Sequence, residues 1–104
     1  NILLAGLTLG AAGGVLDLAN IAPEECVTLC DLFKDGRAAE ARALQQRLLP
    51  VNQAVTVRYG ISGLKHAHDL LGMSGGETRR PLLPLASEDR EALEDILKAG
   101  LGRP

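Results

Sequence analysis

The chain is 104 residues long, 46% hydrophobic, and carries a formal net charge of −2. That is enough apolar material for one small core, but Phe33 and Tyr59 are the only aromatics, so no platform exists for stacking bases. Basic residues scattered among acids on a slightly acidic chain give no electrostatic footprint for nucleic acid or an anionic membrane.

The opening, Asn1 to Gly10, is too short and too glycine-interrupted to cross a bilayer, which takes about 20 apolar residues. With neither an initiator Met nor a charged leading segment it does not read as a signal peptide. The expectation for Ile2 to Leu9 is a mostly buried helix stopped by Gly10. Gly13-Gly14 then turns into the one strand candidate, Val15 to Leu18. A lone strand cannot satisfy its own amides. Val51 to Tyr59 comes closest to a second one, but it continues a helical stripe. The ladder partners are therefore expected on another chain or on sequence outside this one, which reads as the tail of a larger protein cut before its last helix–strand unit.

Pro23 followed by Glu24 and Glu25 starts a helix, because Pro suits the first helical position and the acids suit its positive end. It is expected to run to about Lys34 and stop at Asp35-Gly36. A third helix begins near Arg37. Its apolar positions Ala41, Leu44, Leu48, Val51 and Val55 recur at alternating spacings of three and four, one continuous stripe, which Pro50 is expected to kink without ending. Tyr59 to Gly63 reads as a break, Leu64 to Gly72 as a fourth helix, and Met73 to Ala86 as a surface loop. Ser87 is expected to cap the last helix and Gly100 to end it, with Leu93, Ile96 and Leu97 buried. A helix feeding a buried strand and followed only by helices looks like the close of an α/β barrel, residues 1–36, with a helical extension, residues 37–104.

Few residues offer chemistry. Cys26 and Cys30, one turn apart, suit two semi-buried thiols, with nothing to suggest a secreted disulfide framework; a reducing, cytoplasmic setting fits. His66 and His68, two apart on a helix, point to different faces, so no metal site is expected. Gly10, Gly13 and Gly14 follow a helix and open a strand, the reverse of a phosphate-binding loop. Alternation sends Leu16 and Leu18 toward covering helices and leaves Val15, Asp17 and Ala19 on the opposite side. Asp17 would then face a barrel interior, as half of a salt bridge or as a substrate-lining carboxylate. Asn20 reads as a turn former. Lys65 and Arg79-Arg80 suit the pinning of a loop through its carbonyls better than an acidic partner. No catalytic set is visible within the chain.

Leu9-Gly-Ala-Ala-Gly-Gly-Val-Leu-Asp-Leu-Ala-Asn-Ile21 resembles the last barrel strand of the dihydrodipicolinate synthase / N-acetylneuraminate lyase family. Leu48-Leu49-Pro50, Gly60-Ile-Ser-Gly-Leu-Lys65, Leu71-Gly72 and Arg79-Arg-Pro-Leu-Leu-Pro84 resemble its C-terminal helical region, in the same order. Gly60 to Lys65 looks closer to 4-hydroxy-2-oxoglutarate aldolases than to dihydrodipicolinate synthases, whose usual pattern there is Asn-Pro-x-x-x-Lys. The resemblance implies a C-terminal fragment of a (β/α)8 TIM barrel plus helical extension, α/β in class though mostly α in itself, from a homotetrameric class I aldolase or lyase. Such enzymes form a Schiff base between a barrel lysine and pyruvate or another 2-oxo acid, and a tyrosine relays protons. Both residues would lie in the missing N-terminal barrel segment, with no added cofactor and with Tyr59 in neither role. Carried over by position, Val15 would border the pyruvate pocket, Asp17 would line the substrate, and Asn1 falls where sialic acid lyases place an acid contacting the sugar. The alternatives are a non-catalytic helical interaction or oligomerisation module, from which residues 1–20 could be deleted without harm, and a domain-swapped oligomer pairing Val15 to Leu18 between copies.

Overall fold

A computed structural model describes residues 2–103. Its helices are α1 (Leu3–Thr8), α2 (Pro23–Lys34), α3 (Ala38–Gln53), α4 (Gly60–Leu70) and α5 (Ser87–Leu101), with a 3-10 turn at Asp17–Asn20 and a π-turn at Ala54–Arg58. The long helix α3 is the spine. Its stripe behaves as the spacing requires: Ala41, Leu48, Val51 and Val55 are buried and Leu44 is half-buried. One core with it is formed by Leu18, Ile21, Ala22 and Cys26, by Leu93 and Leu97 of α5, and by Ala67 of α4, a helix that packs on the π-turn and α5. Leu3 and Leu7 of α1 form a second cluster with Leu29 of α2. Two polar links close the body: the Leu4 amide donates to Gln45 Oε1 at 3.2 Å, and Arg103 Nη2 lies 3.1 Å from Glu25 Oε2.

α3 continues through Pro50, as expected, and loosens only one turn later. There the Tyr59 amide donates to the carbonyl of Ala54, five residues back, at 2.8 Å. This wide turn swings Val57 outward, 75% exposed, while keeping Ala54 and Val55 inside.

The strand expected at Val15 to Leu18 is corrected. Among the described residues there is no strand: Leu16 has extended backbone (φ −128°, ψ 128°), but Asp17 already begins the 3-10 turn. With no neighbouring segment to complete a ladder, the chain closes local bonds instead, Ala19 N–H to Leu16 O at 3.1 Å and Ile21 N–H to Leu18 O at 3.0 Å. The alternation survives at Val15 to Leu18, with Leu16 and Leu18 inward and Val15 and Asp17 exposed. Ala19 departs from it, rotated inward against the core by the turn.

Three boundaries also differ. The break expected over Tyr59 to Gly63 shrinks to Tyr59, and α4 starts at Gly60, because Gly63 serves close packing: a Cβ there would strike the Tyr59 side chain. Ser87 is the first residue of α5, not its cap; Ala86 holds the cap position with no side-chain bond. Gly100 lies inside α5, which runs to Leu101 and closes on Gly102 at φ +70°.

Candidate functional site

Val15 is fully exposed. Asp17 is exposed too, and its carbonyl accepts a hydrogen bond from Asn20 Nδ2 at 3.0 Å, the turn-forming role expected of Asn20. Asn1 lies outside the described residues, so its expected substrate contact has no geometry here. The amides of Gly13, Gly14 and Val15 have no partner among the described residues.

An imine-forming lysine needs a desolvated amine that gives up its proton readily. Lys34 and Lys98 are exposed and ion-paired instead, and Lys65 holds a loop. Lys34 is 70% exposed beside Asp31. Lys98 bonds Glu94 at 2.7 Å, which holds the ammonium above its ordinary range and the carboxyl below its own. Lys65 donates to the carbonyl of Gly75 at 2.7 Å.

That last bond is part of a clasp. Gly75 N–H donates back to Asp69 Oδ1 at 2.8 Å, and Ser62 Oγ donates to the carbonyl of Leu83 at 2.8 Å. The loop after α4 is thus strapped along one face of that helix, on which Ser62, Lys65 and Asp69 follow at i, i+3 and i+7. A cleft of about 440 Å³ opens where Ser62, His66 and Asp69 face Glu77, Thr78 and Arg90. A second, of about 240 Å³, opens where Ile61, Leu64, Lys65 and His68 face Asn20 and Ser74. The two histidines open onto different clefts, as their spacing requires. The loop-pinning role expected of Lys65 is present; Arg79 and Arg80 are exposed. Sequence reasoning missed Arg90, whose Nε donates to the carbonyl of Leu85 at 3.0 Å, and it missed the clefts because loop geometry has no periodicity to read. Burial pushes the Cys26 thiol up, with Cys30 and Glu25 adding to it.

The model of the dihydrodipicolinate synthetase family matches residues 1–100. The chain belongs to that family. Among its relatives, it is 36% identical over 97 residues to a 4-hydroxy-tetrahydrodipicolinate synthase of Methanothrix thermoacetophila, covering 93% of this chain and 33% of that one. A protein of the same name from Gluconacetobacter diazotrophicus is 38% identical over 96 residues (91% of this chain, 32% of that one). Another, from Rhodopseudomonas palustris, is 35% identical over 99 residues (94% and 33%). The chain spans about a third of the length of these curated relatives. Membership in the dihydrodipicolinate synthetase family implies the TIM-barrel fold of that family. No described helix is long and apolar enough to cross a membrane.

Proposed function

We propose that this chain is the C-terminal part of a homotetrameric, cytoplasmic class I aldolase or lyase that makes or breaks a carbon–carbon bond next to pyruvate or a related 2-oxo acid. In that enzyme a lysine outside the chain forms the imine, whose cationic nitrogen takes up the electron pair of the bond being broken. Residues 1–36 complete the barrel, and residues 37–104 cover it as a helical extension. Val15 borders the pyruvate pocket, Asp17 lines the substrate, and Asn1 falls where sialic acid lyases place an acid contacting the sugar. The family match across residues 1–100 carries this reading. The exposed Val15 and Asp17, the open amides before them, and the solvent-exposed, ion-paired Lys34 and Lys98 support it. Within the family, Gly60 to Lys65 favours a 4-hydroxy-2-oxoglutarate aldolase-like substrate, whereas the relatives above are named for 4-hydroxy-tetrahydrodipicolinate synthesis; a panel of aldehydes offered with pyruvate separates the two.

The experiment is complementation. The first two thirds of the Methanothrix relative are mixed with this chain, given pyruvate, and reduced with borohydride. Trapping should require both pieces and should mark the barrel piece. If the mixture traps no pyruvate while the intact relative does, the reading fails.

The non-catalytic interaction module remains a second reading because Leu48, Val51, Ala67, Leu93 and Leu97 already close a core within residues 37–104. Its corollary, that residues 1–20 are dispensable, conflicts with the burial of Leu3, Leu7 and Leu18.

A further inference from the structure

The smaller cleft beside α4 has a one-sided chemistry. Ile61, Leu64, Lys65 and His68 sit at positions i, i+3, i+4 and i+7, a single face of the helix. They meet Asn20 and Ser74 across about 240 Å³. Every polar side chain lining this space can donate. Lys65 uses one ammonium hydrogen on Gly75 O and keeps two. Asn20 uses one amide hydrogen on Asp17 O and keeps one. His68 offers an imidazole N–H and Ser74 a hydroxyl. No carboxylate side chain lines the cleft; Asp69 opens onto the neighbouring one, with an oxygen occupied by the Gly75 amide. Ile61 and Leu64 supply an apolar wall for a short carbon chain.

We propose that this cleft recognises a small carboxylate, with the Lys65 ammonium and the His68 imidazole as its principal partners, Asn20 and Ser74 completing the cradle, and the carbon skeleton lying on Ile61 and Leu64. A planar two-oxygen anion matches convergent donors that a cation or a neutral amide cannot use as fully. Asn20 ends the segment that carries Val15 and Asp17, and active sites of barrels lie at the C-terminal ends of their strands. The ligand is therefore the distal carboxylate of the acid that reacts with, or is released from, the pyruvate unit; this assignment to the substrate rests on the function proposed above.

The test uses the chain itself. Amide and imidazole resonances are followed by NMR while succinate, or its neutral diamide, is added at constant ionic strength. Succinate should give saturable shifts centred on Asn20, His68 and Ser74, and the diamide should not. His68→Leu should weaken succinate about tenfold, the usual effect of one charge-assisted hydrogen bond. Because Lys65→Met also frees the loop, Lys65→Arg serves as the conservative variant and should retain binding that Lys65→Met loses. Equal shifts with the diamide, shifts spread over surface basic residues such as Arg79 and Arg80, or undiminished binding by folded His68→Leu would overturn the proposal. Pyruvate trapping needs the remainder of the barrel and this titration does not, so either idea can fail alone.

Discussion

Gly100 presents its bare Cα to Val51: a β-carbon built on Gly100 would overlap Val51 Cγ2. Helix α5 settles onto the spine of the molecule through this contact, and Val51 is fully buried with a branched side chain that has few rotamers to offer. In an exposed helix Gly→Ala would stabilise by about 1 kcal/mol. Here overpacking outweighs propensity, and Gly100→Ala should destabilise by about 1–2 kcal/mol in urea unfolding. Adding Val51→Ala should relieve part of the cost that Gly100→Ala imposes. The two substitutions should therefore be non-additive in a double-mutant cycle.

The clasp between α4 and its loop gives a second expectation. Lys65→Met removes the donor to Gly75 O and should cost about 1 kcal/mol. The loss should be local: hydrogen exchange should quicken at Gly75, whose amide is held by Asp69, while amides of α3 keep their protection. Gly75→Ala should do the same more severely, since its β-carbon would meet the Lys65 carbonyl.

Cys26 predicts an alkaline limit. Its thiol, ordinarily near 9.0, is raised by burial first and by Cys30 next. The folded chain therefore holds this proton to higher pH than the unfolded chain. The stabilising contribution is full below about pH 9 and drains away as pH rises through the folded value, because the unfolded state ionises first. Urea midpoints should fall above pH 9, and Cys26→Ala should flatten that fall. In alkylation at pH 8, Cys30 should react before the buried Cys26.

Neighbours on one short segment should respond oppositely. Val15→Asp sits in solvent and should change stability by less than about 0.5 kcal/mol. Leu18→Ala removes a buried side chain from the main core and should cost about 2–4 kcal/mol. Complementation by the barrel piece should show the reverse sensitivity, with Val15→Asp blocking assembly of a chain that remains folded.

How much of this was legible in the sequence follows from the kind of interaction involved. The span Pro23 to Lys34 was readable because its start, its charges and its stop at Gly36 are local signals. The α3 stripe was readable through Pro50 because periodicity survives one missing hydrogen bond. Glycines misled where they pack instead of bending: Gly63 under Tyr59 and Gly100 against Val51 looked like breaks, and only the facing side chain shows otherwise. The segment Val15 to Leu18 has the pattern of a strand, yet a ladder is a property of two segments and only one is present. The clefts depend on where a loop of 16 residues between α4 and α5 returns to α4, which no spacing in the sequence encodes.

On the function proposed above, this chain completes a Schiff-base enzyme whose imine-forming lysine lies outside residues 1–104. Mass spectrometry of the borohydride-reduced mixture of this chain, the barrel piece and pyruvate tests it most directly. A reduced pyruvate adduct should appear on a lysine of the barrel piece, only when both pieces are present, with Lys34, Lys65 and Lys98 unmodified. An adduct on one of those three lysines, or trapping by the barrel piece that is indifferent to this chain, would contradict it.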